Sequence, residues 1–500
     1  MITLMALRNF LLRPWRSLFL LLGYSLGVGV MIVLLSIGEA LLTQARQERL
    51  VGGGQVTVLP EGIDVEVLKT GGLGGMFFSI DHARFIYRQL LAAPRLAPWI
   101  VAAAPQIDSK LLYARLPNGH EIAVEATGEI PSLSRAVGGG PDIAQGVWQD
   151  DDLDRRWSDP TLAELRDDID HFHLPPKSAR DDSTWGEWHY FNVFSNDHRR
   201  WAYVSLIVGG RVPDGPWGGQ VLVTMHEQGG SSRRFVAVDP ATAVHFSTTR
   251  ADLTMGSSSV HVLPDGRYEI HASAREENGP DSVDVHLTLA PSAGAYFPGA
   301  ALSGGEVVSG YVVPALRADA DGAICIGRRG SPLDCEQLRR VQAYHDHNWG
   351  VWRGVSWEWG AARAGPYAIL YGRIEPPDSV AATQPLFVYV VDSLGFLRVF
   401  RPRTITYDDS SSTRHDGVRI PRTAELFDAR GDDTLRVTLR IEDAVITDTR
   451  RPLIERGDYM NARRIVRPYF LQMKGVARLE GRIGGRVISD QGYGFFETYR

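Results

Sequence analysis

Residues Tyr344–Gly350 bring two imidazoles, a carboxylate, an amide and an indole into one short run, Tyr-His-Asp-His-Asn-Trp-Gly. Side chains of these types can transfer protons, bind a metal ion or form a buried hydrogen-bonded network. In an extended chain, successive side chains alternate between two faces. We therefore predict that the run has two distinct faces, with His345, His347 and Trp349 on one and Tyr344, Asp346 and Asn348 on the other.

The residue types leave three roles open for this run. A metal site would use His345 and His347 with a carboxylate from elsewhere, such as Glu187. The sequence fixes no third ligand, so neither a metal nor any other cofactor is predicted. A structural role would have Asp346 and the imidazoles bonded to one another where two domains meet, because buried polar groups need partners. A catalytic role would use Asp346 as an acid.

Three other segments, Asp170–Pro176, Trp185–Phe191 and Gly492–Glu497, accompany the run. Together with His-Asp-His-Asn-Trp-Gly they resemble the AttH-like group, which includes the bacterial carotenoid 1,2-hydratases (hydroxyneurosporene synthases). The resemblance covers roughly residues 150 to 500. It implies a mainly β protein with two consecutive lipocalin-like antiparallel β-barrels, and an activity that adds water to an isoprenoid carbon–carbon double bond.

Hydration of an isolated double bond needs a carboxylic acid kept protonated in an apolar cavity and aromatic faces that stabilise a carbocation. Asp346 has the type of the acid, His347 would position water, and Trp349 would face the cation. In the hydratases a downstream Tyr-x-Asp element supplies a second acid. Here Tyr371 matches that tyrosine, but Arg373 replaces the aspartate. We expect Arg373 to keep Asp346 ionised, so hydratase activity is the alternative and not the main prediction.

Aromatic side chains in a lipocalin-sized barrel can enclose one small apolar ligand. Tryptophans also fill barrel cores, so any single one has two interpretations, but four lie between residues 349 and 359. The main prediction is therefore a protein that binds a hydrophobic or lipid-like ligand. The candidate ligand-binding residues are Trp185, Glu187, Trp188, His345, Asn348, Trp349, Trp357 and Trp359, and the candidate catalytic residues are Asp346, His347 and Tyr371.

The segment Ser17–Ile37 carries no charged residue and is long enough, at about 1.5 Å per residue, to cross a hydrocarbon core of roughly 30 Å. A signal peptide is the alternative, although the apolar stretch is long for one. Arginines precede the segment and mixed charges follow it, which predicts a cytoplasmic N-terminus. We expect a single-pass protein of the inner membrane whose remaining domains are extracytoplasmic.

The N-terminal segment Leu7–Ser17, the apolar span and Gly54–Pro60 resemble the start of an FtsX/MacB-type ABC transporter permease. Such permeases continue with three more spans, which this sequence lacks. The resemblance implies an association with ABC transporter ATPase and permease subunits, without a translocation pathway of the chain's own.

Composition excludes some partners and leaves one redox question open. The net charge of -6 and a pI near 6.2 give no basic surface for nucleic acid. Cys325 and Cys335 would form a disulfide if their segment lies outside the cytosol, and would otherwise be two free thiols.

Hydrophobic patterns divide the chain into five segments. A stub and membrane helix (1–42) precede a small α+β module (43–137), with strands at 56–59, 100–104, 110–115 and 121–126 around a helix at 81–91. A linker with a helix at 160–171 (138–184) leads to the two barrels that the AttH-like resemblance implies, which we divide near residue 350 into 185–350 and 351–500. Hairpins are predicted at 260–272 and 387–400, because alternating runs flank turn residues there.

Overall fold

The structure is a computed structural model, and it describes residues 12, 14–47, 80–138, 148–230, 232–304, 307–328, 331, 333–352, 355–375, 385–410, 412–415, 417–448 and 469–500. The chain forms two compact units. One comprises residues 1–77 and 102–151, and the other comprises 78–101 and 152–500. The permease-like segment Gly54–Pro60 and the strand predicted at 56–59 lie outside the described residues.

The first unit contains a long apolar helix and a small hairpin. Helix α1 (Pro14–Gln47) is long and apolar enough over Pro14–Val33 to cross a membrane, and none of that segment is buried. Strands β1 (Gln106–Arg115) and β2 (Glu121–Glu129) pair antiparallel, and a short helix follows at Pro131–Ala136 (α3). Within the described residues, α1 is the only helix of that length and apolarity.

Three helices of the second unit lie against one another before the barrels begin. They are α2 (Ile80–Ala92), α4 (Asp152–Ser158) and α5 (Leu162–Asp170). Helix α5 begins at Leu162 because Thr161 and Glu164 form a reciprocal capping box that satisfies free N–H groups of the first turn. Its Asp168 accepts a hydrogen bond from Arg84 Nε of α2 at 2.8 Å.

The first barrel is a closed antiparallel sheet. Its strands are β3 (Trp185–Phe194), β4 (Arg200–Gly210), β5 (Trp217–Glu227), β6 (Arg233–Pro240), β7 (Val244–Phe246), β8 (Leu253–Met255), β9 (Ser258–Val262), β10 (Tyr268–Glu276), β11 (Asp281–Pro291), β12 (Phe297–Gly304), β13 (Val307–Arg328) and β14 (Asp334–Val351). The hydrogen-bonded ring runs β11-β13-β14-β3-β4-β5-β6-β10 and closes through the pairing of β10 with β11. Closure leaves no free strand edge in the ring. Shorter strands extend from β10 and β13.

The second barrel is a curled antiparallel sheet. Its strands are β15 (Ser356–Ala364), β16 (Tyr367–Glu375), β17 (Phe387–Asp392), β18 (Gly395–Phe400), β19 (Thr406–Tyr407), β20 (Thr413–His415), β21 (Val418–Ile420), β22 (Thr423–Arg430), β23 (Asp433–Asp448), β24 (Tyr469–Ile483) and β25 (Arg486–Tyr499). The strand order is β18-β17-β16-β15-β25-β24-β23-β22-β19, and the small hairpin β20–β21 forms a separate sheet.

Alternation along the strands produces three apolar layers. The interior of each barrel has its own core, and a third layer lies where the two barrels pack together. That third layer, here called the inter-barrel layer, is rich in aromatic side chains. It includes Tyr190, Tyr344, Trp359 and Phe495. A strand such as β14 therefore contributes to one barrel interior and to the inter-barrel layer at the same time.

The predicted fold class is confirmed: the chain is mainly β, with large antiparallel sheets curled into lipocalin-like barrels and one apolar N-terminal helix. The helix predicted at 81–91 and both predicted hairpins are present. The strand predicted at 100–104 is wrong, because these residues follow a 3-10 turn at Ala97–Trp99 and form no ladder. Cys325 and Cys335 are cross-strand partners on β13 and β14 and form a disulfide.

Candidate functional site

The pairing of β14 with β3 assembles the histidine run with residues of the Trp185–Phe191 segment. His347 lies opposite His189, and Trp349 lies opposite Glu187. Paired residues share a face of the sheet, because side chains of neighbouring strands point the same way at each register position. His345 and His347 are fully buried within the first barrel, whereas Tyr344 lies in the inter-barrel layer. The two faces predicted from sequence are therefore present.

A buried cluster of carboxylates and imidazoles occupies the first barrel. Asp170, the last residue of α5, is fully buried. Its Oδ2 lies 2.9 Å from His345 Nε2, and its Oδ1 lies 2.8 Å from His347 Nδ1 and 3.6 Å from His189 Nδ1. The other ring nitrogen of His347 is 2.8 Å from Glu187 Oε1. We call Asp170, Glu187, His189, His345 and His347 the first-barrel cluster.

The electrostatics of this cluster follow from burial and mutual attraction. Burial opposes ionisation of Asp170, but His345 and His189 outweigh it and hold the pKa of the Asp170 carboxyl well below its usual range. Burial lowers the pKa of His189 well below its usual value, and the neighbouring imidazoles add to that effect. Burial also opposes the charge on His347, yet Asp170 and Glu187 raise its pKa to about 9. The cluster thus contains an ionised carboxylate that requires a positive neighbour.

Two predicted ligand-binding tryptophans belong to the same barrel. Trp349 stacks on the imidazole of His173, with ring centroids 3.7 Å apart and an interplanar angle of 6°. Its indole lies over Gly310, where an added Cβ would approach the ring to 2.4 Å. Trp185 is buried in the core of the barrel. Trp349 and Trp185 are therefore packed against protein atoms of this barrel.

A second polar cluster lies in the inter-barrel layer around Glu497 of β25. Glu497 Oε1 accepts a hydrogen bond from the Tyr190 hydroxyl at 3.0 Å, and Oε2 accepts one from Trp357 Nε1 at 3.0 Å. Trp359 Nε1 donates to the Tyr344 hydroxyl at 3.0 Å. These bonds join the two barrels, because Tyr190 and Tyr344 come from the first sheet and the other three from the second.

Asp346 lies in this second cluster with Asn348 and Trp188 nearby. Asn348 Nδ2 donates to Asp346 Oδ1 at 2.6 Å, and Trp188 packs against Trp352 with centroids 5.1 Å apart. Burial raises the pKa of Asp346 to about 6, against the hydrogen bonds that lower it. Burial raises the pKa of Glu497 to about 7, and the charge of Asp346 contributes to that rise.

The expectation that Arg373 would keep Asp346 ionised is wrong. Arg373 Nη2 lies 2.8 Å from Glu375 Oε1, and the register places Arg373 opposite Glu358 of β15. Alternation along β16 directs Arg373 and Tyr371 away from the inter-barrel layer, to which Leu370 belongs. The Asp346 carboxyl therefore responds mainly to burial, which raises its pKa.

A cavity of about 570 Å³ lies in the second barrel. Glu358 is buried in its wall, accepts a hydrogen bond from Thr498 Oγ1 at 3.0 Å and another from the Tyr407 hydroxyl. Burial raises the pKa of Glu358, although these two bonds and Arg373 oppose the rise. The lining residues are Glu358, Arg373, Ile405, Tyr407, Asp409, Gly417, Val418, Arg419, Tyr469, Thr498, Tyr499 and Arg500.

The cavity wall carries guanidinium groups with unused donors. Arg373 Nε and Arg500 Nε are buried and have no hydrogen-bond partner among the described residues, while Arg500 Nη2 pairs with Asp409 Oδ1 at 3.3 Å. The Arg500 guanidinium lies 4.5 Å from the ring centroid of Tyr407, and its Nη1 donates to Asp409 Oδ2 at 3.5 Å. N–H groups left without acceptors at a cavity wall are suited to bind an anion.

The three candidate catalytic residues occupy three environments. His347 belongs to the first barrel, Asp346 to the inter-barrel layer, and Tyr371 to the interior of the second barrel. The ring of Tyr371 packs over Gly360, where a Cβ would lie 2.5 Å from it. The structure therefore does not bring these three side chains together.

Sequence reasoning assigned no role to Asp170, His189, Glu358 or Glu497, which the structure makes central. Asp170, His189 and Glu497 lie inside the three segments that accompany the histidine run, so the sequence did point to their positions. Glu358 had only the signal of an acidic residue between two tryptophans in a strand. A buried acid in an apolar strand requires a partner, which makes such a position a candidate for function.

No protein-family model matches the chain, and no curated protein matches it in sequence. Several solved structures are similar to it, among them the following three. A putative AttH (NE1406) from Nitrosomonas europaea has 14% identity and a TM-score of 0.41, over 66% of this chain and 98% of that one. Kievitone hydratase from Nectria haematococca has 15% identity and a TM-score of 0.39, over 66% and 94%. CghA with Sch210972 has 14% identity and a TM-score of 0.41, over 66% and 94%.

Proposed function

We propose that this protein is a membrane-anchored binding protein whose second barrel holds an amphipathic, lipid-like molecule with an anionic group. The observation that carries the proposal is the cavity of about 570 Å³ with unused guanidinium donors on its wall. Its size falls within the range of about 300 to 1,000 Å³ that is usual for small-molecule sites. The predicted hydrophobic ligand is thus retained, but its site moves from the histidine run to the second barrel.

The lining suits a ligand with two chemically different ends. Ile405, Val418 and the rings of Tyr407 and Tyr469 offer apolar surface for a hydrocarbon part. Arg373 and Arg500 offer N–H groups for a carboxylate or phosphate, and guanidinium groups bind such oxyanions in a planar, often bidentate geometry. Glu358 accepts hydrogen bonds from protein groups, so it does not compete strongly for these donors.

The N-terminal helix would keep this barrel at a membrane surface, close to a source of lipid-like molecules. Arginines before the helix favour a cytoplasmic N-terminus, and the disulfide between Cys325 and Cys335 favours an extracytoplasmic barrel on the inner membrane. We extend the proposal to an association with the ATPase and permease subunits of an ABC transporter, which rests on the N-terminal resemblance alone. Recovery of those subunits with the detergent-solubilised full chain would test this association.

A pair of charge-matched probes tests the ligand site. The full-length protein in detergent is titrated with a fluorescent long-chain fatty acid and with its methyl ester. We expect Arg373→Gln to weaken binding of the acid by about 10- to 100-fold, which corresponds to roughly 1.5 to 3 kcal/mol for a charge-assisted hydrogen bond. Binding of the ester should change little.

Arg478→Gln is the matched control, because Arg478 is an exposed arginine of β24 that pairs with Glu480. It should leave both affinities unchanged. Equal binding of the acid to the wild-type protein and to Arg373→Gln would refute the site. Mass spectrometry of an organic extract of the purified protein then identifies the bound molecule.

A second candidate function, hydration of a carbon–carbon double bond, is favoured by the acids of the inter-barrel layer. Burial raises the pKa of Glu497 to about 7 and that of Asp346 to about 6, so both carboxyls hold a proton well above the usual range. The indole N–H of Trp357 bonds Glu497, and the Trp359 ring lies in the same layer. A neutral carboxylic acid among aromatic faces has the features that alkene protonation requires.

Incubation with lycopene or neurosporene tests this alternative. Hydroxylated product that is lost in Glu497→Gln but kept in the exposed control Glu269→Gln would establish it. Absence of product from the wild-type protein at pH 5 and at pH 7 would leave binding as the function.

A further inference from the structure

Three ligand-type atoms converge in the first-barrel cluster. Asp170 Oδ1, His189 and His347 each offer one atom, and these atoms lie within 4.8 Å of one another. The distances from Asp170 Oδ1 are 2.8 Å to His347 Nδ1 and 3.6 Å to His189 Nδ1. Ligand atoms about 2.0 to 2.2 Å from a tetrahedral zinc ion stand about 3.3 Å apart. The observed separations bracket that value.

These atoms are buried, and none of them has a partner of good hydrogen-bond geometry among the described residues. Asp170 Oδ1, His189 Nδ1 and His347 Nδ1 lack such a partner, although His347 Nδ1 lies 2.8 Å from Asp170 Oδ1. The other ring nitrogen of His347, Nε2, faces Glu187 Oε1 at 2.8 Å. Buried polar atoms seldom lack partners, because an unpaired one loses its bonds to water without replacement. Short separations without hydrogen bonds are expected when several atoms point toward one common ion.

Both ring nitrogens of His345, by contrast, have partners, and one of them orients the Asp170 carboxylate. Its Nδ1 lies 3.1 Å from the carbonyl oxygen of Tyr190, and its Nε2 lies 2.9 Å from Asp170 Oδ2. Both nitrogens are therefore used, and the second one fixes the carboxylate with Oδ1 directed away from it. A hydrogen bond that orients a ligating carboxylate is a regular feature around protein metal ions.

Two neighbouring groups of the same residue types are already satisfied by hydrogen bonds. Glu187 accepts bonds from the His173 backbone N–H at 2.9 Å and from His173 Nδ1 at 3.0 Å. On the barrel surface, His271 and His286 both lie within hydrogen-bond distance of Asp284. His347 Nε2 also lies 2.8 Å from Glu187 Oε1, but both Glu187 oxygens already accept bonds from His173, so this side of His347 offers a less open set of ligand atoms than the Asp170 side.

We infer that Asp170, His189 and His347 bind one divalent transition-metal ion in the first barrel, with Zn²⁺ as the representative ion. Two imidazoles and one carboxylate suit Zn²⁺ and its neighbours in the first transition row, while Mg²⁺ and Ca²⁺ take oxygen ligands. A divalent cation would also offset the cost of placing a carboxylate group at Asp170, which is fully buried. The ion would tie the end of α5 to β3 and β14, and three protein ligands would leave its fourth position for water or another ligand.

Metal analysis of the full-length protein tests the inference. The protein is purified in detergent through a tag that contains no histidines, without chelators, and its metal content is measured by inductively coupled plasma mass spectrometry. We expect about one ion per chain, since buried sites load as the chain folds. His189→Gln and Asp170→Asn should each lower metal affinity by at least about tenfold. His271→Ala is the matched control and should retain the ion.

Cobalt substitution supplies a readout that does not depend on the variants folding. Wild-type protein refolded with Co²⁺ should show visible ligand-field absorption, and added Zn²⁺ should abolish it. A wild-type protein that stays metal-free after refolding with Zn²⁺ or Co²⁺ would overturn the inference and assign the cluster to a protonated His347 between Asp170 and Glu187. Metal that His189→Gln retains and His271→Ala loses would overturn it as well.

Discussion

Replacement of Glu497 by glutamine should change how the stability of the protein depends on pH. Glu497 is 5% exposed and bonds Tyr190 of the first barrel and Trp357 of the second. Burial raises its pKa to about 7, from an ordinary value of 4.5. Because the folded-state pKa is the higher one, its contribution to stability is fully present below pH 4.5 and is lost as the pH rises through about 7.

The size of the effect follows from proton linkage. One pKa unit corresponds to about 1.4 kcal/mol. Most of the stability change that the raised pKa of Glu497 causes occurs between pH 5 and pH 8.5. The wild-type protein should therefore lose roughly 2 to 3 kcal/mol more than Glu497→Gln over that interval. Comparing the two proteins at both pH values cancels the pH-independent cost of altered hydrogen bonds, since the amide keeps only part of the bonding.

Urea unfolding followed by tryptophan fluorescence measures this difference on the full-length protein in detergent. Glu269→Gln, at an exposed position of β10, is the control and should follow the wild-type pH dependence. The reasoning would be refuted if Glu497→Gln and wild type lost stability in parallel from pH 5 to pH 8.5. Parallel behaviour would mean that the buried carboxyl is already ionised at pH 5.

Three further predictions address the anchor and the first barrel. A reporter fused after Arg500 should be extracytoplasmic, and deletion of residues 1–47 should give a soluble protein; a cytoplasmic reporter would contradict the orientation. Trp349→Ala should lower the free energy of unfolding by about 2 kcal/mol or more, because it removes the ring stacked on His173. Its affinity for the fatty acid should stay constant, and weaker fatty-acid binding would return the ligand site to the first barrel. Cys325→Ser combined with Cys335→Ser should cost about 2 to 3 kcal/mol in urea unfolding, as expected for closing a short loop; unchanged stability would indicate that the thiols are free in the wild-type protein.

The sequence was informative wherever a local pattern determines a local structure. Alternation predicted which residues of the histidine run share a face, and turn residues between alternating runs predicted the hairpins at 260–272 and 387–400. The apolar N-terminal helix followed from length and composition. These features depend on residues that are close along the chain, so periodicity of two or of 3.6 is sufficient to find them.

The contacts of the candidate sites could not be found in the same way. His345 and Asp170 are 175 positions apart, and Tyr190 and Glu497 are 307 apart. Strand register and the packing of one barrel on the other create these contacts, and neither leaves a periodic pattern in the sequence. The wrong expectation for Arg373 has the same origin. Its place in a family motif predicts contact with Asp346 only if both side chains point into the same layer, and they do not.

Neighbouring residues of the histidine run lie on opposite faces of β14, so they belong to two different clusters. His347 contacts Asp170 and Glu187 inside the first barrel, while Asp346 lies beside Tyr344 and Asn348 between the barrels. A strand of the sheet separates the two side chains, so they cannot contact one substrate atom together. Substitution of a proposed metal ligand, such as His189→Gln, should therefore leave the titration of Glu497 unchanged. Glu497→Gln should likewise leave the metal content unchanged. If either change affected both properties, the two clusters would be coupled through the strand, and the run would have to be treated as one site.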